Sequence, residues 1–408
     1  MSGTVFRYSH TLRAVKALFL SQRVPYPPDR GDKISSWHQV ERLGHNHEVT
    51  IIAFSHDEED EAGAAQLREM GHEVITIPHD ERAKKLRSLP LLLGSTPLTL
   101  GVYGSKELQA EVDRRVLDTD FALAFSSSMG AFLMPHESLP KLVFIGELDS
   151  DKWRQYADHK PWPMSWLYRR EARTLFAFER RLAAAFDETL LVTTLEREIF
   201  DREIPGHASS VLKNGVDLEH FHPDPDRAEP GHLVFTGVMD YFPNTEGCTW
   251  FVEEVLPLIH DRHPEAHFSI VGSRPTPQIE ALSLSPHVTV TGRVDSTADW
   301  LQRASVCVCP LRIARGLQNK VLEAMACGLG VVATTPASQG TDAIPSDHFL
   351  LADEATIFAT EVANLLDSPA RARTIGAAAR TFMEETRSWE TNYAELDRAI
   401  ERITQSSS

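Results

Sequence analysis

Eleven short apolar runs punctuate the chain, and stretches with helical periodicity separate most of them. Six belong to a first series: Val15–Ser21, His47–Phe54, His72–Pro78, Phe121–Ser126, Lys141–Glu147 and Glu188–Thr193. Segments such as "KISSWHQVERLG" and "EEDEAGAAQLREMG" show helical periodicity between them. Continuous apolar strands alternating with amphipathic helices specify a parallel sheet covered on both faces. The pattern then restarts with His232–Gly237, His267–Gly272, His287–Gly292, Ala304–Pro310 and Leu329–Thr335. Two series predict two doubly wound α/β domains, in keeping with a length of 408 residues. The Pro-, Asp- and Gly-rich stretch "NGVDLEHFHPDPDRAEPGH" reads as the connection between them. A closing segment places Tyr393, Leu396, Ile400 and Ile403 on one face of a helix that needs a surface to cover. The predicted boundaries are 14–205 and 206–386 for the domains and 387–408 for the closing helix.

Composition removes several classes of function. With 58 acidic residues against 41 basic ones, the formal charge is −17, which speaks against binding nucleic acid through its phosphates. The apolar run Ala14–Leu20 is short and broken by Lys16, unlike a signal peptide. No apolar stretch reaches the ~18 residues of a spanning helix. The expected location is therefore the cytoplasm. The four cysteines lack the spacing of a disulfide framework or zinc site and read as reduced and buried.

Candidate chemistry sits at predicted strand ends, where open parallel sheets bind ligands. Three strands of the second series end in Gly237, Gly272 and Gly292, and a glycine there admits close backbone approach. After the fourth strand comes "ARGLQNKVLEAMA". Gly316, Leu317, Gln318 and Asn319 lead into a helix whose N-terminus suits a phosphate, and Lys320 adds a full charge there. Glu323 lies at i+3 from Lys320, on the same face, while Val321, Leu322 and Met325 take the buried side. A carboxylate in this position can accept hydrogen bonds from two vicinal hydroxyls. The competing reading is a solvated Lys–Glu surface pair. In "TGVMDYFPN", Asn244 precedes a predicted helix, and Asp240 is either a ligand contact or a turn former. In "TGRVDSTADWL", Arg293 and Val294 follow a strand, with Asp295 or Ser296 set to cap the next helix. In the first domain, "PYPPDRGDK" places Gly31, flanked by Arg30, Asp32 and Lys33, at a helix start. "SSSMGAF" and "GELDSDKW" mark later strand ends, where Glu147 or Asp149 would take a proton from a bound hydroxyl or else cap a helix.

At this point the motifs resemble a known family. "NGVDLEHFHP", "VFTGVMDYFPN" and "NKVLEAMACGLGVVAT", in that order, resemble family 4 of the retaining glycosyltransferases. "RVPYPPDRGDKISSWHQVERL", "GELDSDKW" and "ARGLQNKVLEAMA" resemble its narrower subgroup of exopolysaccharide sugar transferases associated with PEP-CTERM/exosortase sorting. The likeness runs from about Ala17 to about Leu396. It implies the GT-B architecture: two facing Rossmann-like domains and a C-terminal helix crossing back. It further implies a nucleotide-sugar donor, UDP- or GDP-linked, and a polyprenyl-diphosphate-linked glycan acceptor. No cofactor and no obligatory metal would be required, and the acceptor hydroxyl would lose its proton to Glu147, to Asp149 or to the donor phosphate itself. Glu323 matches the family's ribose-holding glutamate, Val294 the backbone that pairs with the base, and Gly31 the first-loop glycine that reaches toward the phosphates. The family's sugar-contacting glutamate is replaced by Arg315, which can only donate hydrogen bonds and so would hold the diphosphate or an acidic sugar, or else pair structurally with Asp240. The arginine and lysine that many relatives carry between Gly237 and Asn244 are missing, a charge for Lys320 and Arg315 to supply. Two enzyme alternatives are a nucleotide-sugar 2-epimerase of the same fold and a metal-dependent GT-A transferase using the "DSD" at Asp149–Asp151. A sugar-binding protein on this fold is the non-enzymatic alternative. Finally, "ERAKKLRSLPLLLG" and "YRREARTLFAFERRLAAAF" mix basic and apolar residues. Either is an ordinary amphipathic core helix or a peripheral contact with the cytoplasmic face of an anionic inner membrane.

Overall fold

The computed structural model describes residues 15–28, 30–158, 160–314 and 316–405. The chain divides into two compact units. One comprises the residues through Leu190, Gly206–Ala208 and the chain from Asp397 onward; the other comprises Leu191–Pro205 and Ser209–Leu396.

The first sheet contains β1 (Val15–Ser21), β2 (His47–Ser55), β3 (Glu73–Pro78), β4 (Phe121–Phe125), β5 (Lys141–Gly146), β6 (Glu188–Leu191) and β7 (Ser209–Val211), in the order β3-β2-β1-β4-β5-β6-β7. The β1–β2, β2–β3, β1–β4 and β4–β5 pairs are parallel. The second contains β8 (His232–Thr236), β9 (His267–Val271), β10 (Val288–Gly292), β11 (Val306–Cys309), β12 (Gly330–Ala333) and β13 (Leu350–Leu351), in the order β10-β9-β8-β11-β12-β13, parallel throughout. Strand order reverses between β1 and β4 in one sheet and between β8 and β11 in the other. At such a switch point the flanking connections leave on opposite faces and open a crevice at the carboxyl ends.

All eleven apolar runs are strands; the central ones are almost wholly buried, while the edge strands β3 and β10 are only partly so. Leu18, Phe19, Leu20, Ile51, Ile52, Phe121 and Leu123 carry no exposure in the first unit, and Phe235, Phe268, Val306, Val308 and Val331 carry none in the second. The four cysteines are free and buried. The helix expected after Asn244 begins earlier, at Phe242, with Pro243 in its first turn, where the missing N–H costs nothing. It runs to Trp250, passes through a π-helical turn (Phe251–Val255) and resumes as Leu256–His260. Pro257 lies just beyond that turn, and a proline inside a helix displaces the preceding hydrogen bonds.

The closing helix is Trp389–Gln405. Its part beyond Leu396 belongs to the first unit. There Asp397 accepts from Arg42, and Arg402 donates to the buried Glu188 at 2.6 and 3.0 Å. Among the described residues no helix is long and apolar enough to cross a membrane.

Candidate functional site

In the second unit the carboxyl ends of β8, β9 and β11 converge on Lys320. β8 ends at Gly237, whose N–H donates to Val271 O at 3.0 Å. A Cβ on Gly237 would stand 2.7 Å from Asn244 Nδ2 and 3.3 Å from Lys320 Cε. Gly272 sits closer still, since its Cβ would lie 1.7 Å from Gly237 O. Both glycines are therefore needed for backbones and side chains to meet at this point.

Lys320 lies in the helix Asn319–Ala326, whose buried face is Val321, Leu322 and Met325. Gly316, at φ +64°, turns the chain into it. The Lys320 ammonium donates to Asn244 Oδ1 at 3.2 Å and Gln318 Oε1 at 3.3 Å, and stands 5.4 Å from the centre of the Phe235 ring. Asn244, itself buried, is fixed by donating to Val238 O at 2.9 Å. Burial lowers the Lys320 pKa, and Glu323 works against that shift.

Glu323 is half-buried, and its carboxylate makes no ion pair with Lys320 and takes no hydrogen bond from any other described residue. Burial pushes its carboxyl up to about 7, against the pull of Lys320. A solvated surface pair would show neither the separation nor the shift. The Lys–Glu spacing thus builds a cation held by neutral acceptors and a carboxylate one turn away that lacks donors.

The other predicted residues sit around this point at different depths. Asn319 accepts from Asn214 at 3.4 Å, so "NGVD" closes on the start of this helix, with Gly215 packed against Trp389. Leu317 packs on the core. Arg293 is exposed beyond the end of β10, while Val294 packs on the core and Ser296 caps the helix that follows. Asp240 is exposed and lies 3.8 Å from Arg274, which adopts φ +58°. Arg274 follows β9 and brings a cation beside the loop where the expected arginine and lysine are missing. Sequence reasoning did not single it out, because nothing in "VGSRPTP" marks it locally. Arg315 lies outside the described residues.

In the first unit the β1/β4 switch point carries Gln22, Ser126, Ser127 and Ser128. Gln22 donates to Ser128 Oγ at 2.7 Å, and Ser126 holds φ +100°, a conformation that strains a side chain-bearing residue. Ser127 Oγ donates to Asp149 Oδ2 at 2.8 Å. Burial raises the Asp149 pKa, while Lys152 and the Ser127 hydroxyl act against it. Glu147 pairs with Lys152 at 3.2 Å through one oxygen; its other oxygen is buried without a partner. Behind them Glu179, buried on the helix Met164–Ala185, accepts from Ser150 N at 3.1 Å and bonds the Ser150 hydroxyl. Burial, with Asp149 close by, pushes Glu179 up to about 8. Asp151, the second acid of the "DSD", turns away to Arg154 and Gln155.

Gly31 begins the helix Gly31–Asn46 and is exposed. Arg30 pairs with Asp32 at 2.6 Å. Lys33 is buried and pairs with Asp60 at 2.9 Å. Burial alone would raise the Asp60 carboxyl, but His56 and Lys33 outweigh it and hold it well below the usual carboxylate range. Lys33 is therefore a structural cation.

Comparison with solved structures decides the architecture. A sucrose-phosphate synthase from Thermosynechococcus elongatus superposes with a TM-score of 0.70 over 96% of this chain and 100% of that one, at 17% identity. Anabaena Alr3699/HepE, in complex with UDP and glucose, superposes with 0.70 over 95% and 100%, at 13% identity. The fold is GT-B. Within the GT-B chain, residues 230–368 match the family of glycosyl transferases group 1, a segment that holds Gly237, Asn244, Lys320 and Glu323. Among sequence relatives, an uncharacterized 44.6 kDa protein in the cps region of Klebsiella pneumoniae is 20% identical over 91% of this chain and 96% of its own length. A GDP-mannose-dependent monoacylated alpha-(1-6)-phosphatidylinositol monomannoside mannosyltransferase of Corynebacterium glutamicum is 27% identical over 44% of this chain and 52% of its own. Family match and GT-B fold together support a glycosyltransferase.

Proposed function

We propose that this GT-B chain transfers a sugar, with retention, from a UDP- or GDP-linked donor to a lipid-linked glycan acceptor in exopolysaccharide assembly. The observation that carries the reading is the half-buried carboxylate of Glu323 without described donors, one turn from Lys320, at the carboxyl end of the second sheet. Vicinal ribose hydroxyls supply the donors that Glu323 lacks. The donor diphosphate meets Lys320, the N-terminus of the Asn319–Ala326 helix and Arg274, so its charge is offset by protein groups rather than a resident metal ion. The Gly292–Val294 backbone lies along the base. Arg315 adds a cation to the donor's sugar or diphosphate.

Glu147 and Asp149 contact the acceptor hydroxyl. The Ser127 bond orients Asp149, and its raised pKa makes it a better base than an ordinary carboxylate. The name of the Klebsiella relative, from a cps region, supports the exopolysaccharide assignment, and that of the Corynebacterium relative supports a lipid-linked acceptor.

The test is to incubate the full chain with UDP- and GDP-sugars, with and without polyprenyl-diphosphate-linked glycans. Nucleoside diphosphate release and the anomeric configuration of the product are then followed by NMR. Acceptor-dependent release with a retained anomer is expected. Conversion of the donor without acceptor to a 2-epimer, or an inverted product, overturns the proposal.

A further inference from the structure

One surface of the first unit is built against the ordinary logic of a soluble face. Leu86 is 69% exposed, Leu93 96% and Trp162 80%, with Leu89, Met164 and Trp166 also exposed. Scattered surface leucines need no explanation, but two tryptophans and three leucines gathered on neighbouring segments do.

The two segments are bound together. Arg170, one turn beyond Trp166 on the helix Met164–Ala185, donates to the carbonyls of Leu91, Gly94 and Thr96. Glu171 accepts from Leu98 N, Thr99 N and Thr99 Oγ1, each at 2.8 Å. Both side chains are buried. Burying two charges is costly unless they are hydrogen-bonded this fully. Their effect is to hold the leucine segment, Leu89–Leu93, beside the tryptophan end of the helix with Leu89 and Leu93 in solvent.

The charge around them is mostly positive, with Lys85 paired to Glu81 at 2.6 Å and Arg169 to Asp158 at 3.5 Å. Glu81–Gly94 holds Arg82, Lys84, Lys85 and Arg87 against Glu81 alone. On the long helix, Leu175, Phe178 and Leu182 face the core. Trp166, Arg169, Arg173 and Arg180 fall on one exposed stripe at helical spacing. Arg173 and Arg180 have no ion-pair partner among the described residues. This is a cationic stripe headed by tryptophan on a chain whose net charge is −17.

We propose that this surface, Leu86–Leu93 with Trp162, Trp166 and the Arg169–Arg180 stripe, docks peripherally on an anionic lipid bilayer. Tryptophan and leucine enter the headgroup boundary while the arginines meet lipid phosphates. Predominantly positive charge beside protruding apolar side chains matches that interface better than it matches a protein face of balanced charge. The surface is distinct from the nucleotide site, and its test needs neither donor nor turnover, so it stands or falls separately from the proposed reaction.

The experiment is co-sedimentation of the full chain with vesicles of phosphatidylcholine plus phosphatidylglycerol, against phosphatidylcholine alone, at low and high salt. Tryptophan quenching by brominated acyl chains runs in parallel. Wild type should bind the anionic vesicles at least tenfold more tightly, lose that preference in salt, and be quenched. The triple variant Arg169→Glu, Arg173→Glu, Arg180→Glu should lose well over tenfold, given about fivefold in partitioning per basic residue at such a surface. Trp162→Ser with Trp166→Ser should abolish most quenching. Arg371→Glu with Arg373→Glu, on the exposed face of the helix Pro369–Thr386 in the other unit, should bind as wild type. Equal binding to both vesicle types, binding unchanged in the triple variant, or no quenching in wild type overturns the proposal. So does a dimer that the tryptophan substitutions dissociate while vesicles are ignored, which would assign the surface to self-association.

Discussion

Glu323 offers the sharpest prediction, because the role proposed for it requires a charge that burial resists. Its carboxyl titrates at about 7 in the free protein, raised by burial against the pull of Lys320. In the proposed donor complex ribose hydroxyls donate to the ionised form, so donor binding would select it. From about pH 8 to about pH 6 the ionised fraction falls from roughly nine-tenths to roughly one-tenth. Affinity for a nucleotide-sugar should therefore weaken about tenfold, ~1.4 kcal/mol, over that window. Intact nucleotide-sugars are the right ligands, since their diphosphate diester does not titrate there. Glu323→Gln should bind with little pH dependence, near the wild-type value at about pH 6. Glu323→Ala removes two charge-assisted hydrogen bonds and should cost about 3 kcal/mol, roughly a hundredfold, at about pH 8. The linkage to folding has the opposite sense. A carboxyl raised above its unfolded value of 4.5 stabilises most below that pH, and its contribution is lost as pH rises through about 7. Wild type should thus melt progressively lower than Glu323→Gln across that range. Isothermal titration and thermal melts at about pH 6, 7 and 8 read both effects. Wild-type affinity that is flat with pH, with Glu323→Gln equal to wild type throughout, would refute the reasoning.

Other substitutions separate position from charge. Gly237→Ala puts a methyl 2.7 Å from Asn244 Nδ2, so Asn244 must leave Lys320; donor affinity should fall at least tenfold by titration while circular dichroism stays native. Lys320→Met keeps the stem but removes the cation and strands Asn244 Oδ1; nucleoside diphosphate release should slow by more than a hundredfold. Glu179, raised to about 8, is a carboxyl whose stabilising contribution is complete below its unfolded value of 4.5 and lost as pH rises through about 8. Glu179→Gln should therefore gain on wild type in urea melts at about pH 9 relative to about pH 6, and an unchanged difference between the two pH values would contradict it.

The parallel sheets were legible because each central strand is buried on both faces and reads as an unbroken apolar run. The strands β7 and β13 were not, since three and two residues carry no periodicity. Lys320 and Glu323 were legible because spacing on one helix is a local property. Lys33 was not separable from a ligand by sequence, because its partner Asp60 lies on another element. Arg274 and Asn214 in the second unit, and Glu179 in the first, acquire meaning only from strand order and helix packing, which bring distant segments of each unit together. The start of the helix at Phe242 was masked by Pro243, whose fixed φ suits a first turn as well as a loop.

The central claim is that the second unit binds a nucleotide-diphosphate sugar through Lys320 and Glu323. Thermal shift of the full chain with UDP, GDP, ADP and TDP and their sugars, with and without EDTA, on wild type and Glu323→Ala, tests it most directly. The account predicts that one base raises the wild-type melting temperature, that the rise is largely lost in Glu323→Ala, and that EDTA leaves it unchanged. No shift with any nucleotide, an equal shift in the variant, or a shift abolished by EDTA would contradict it.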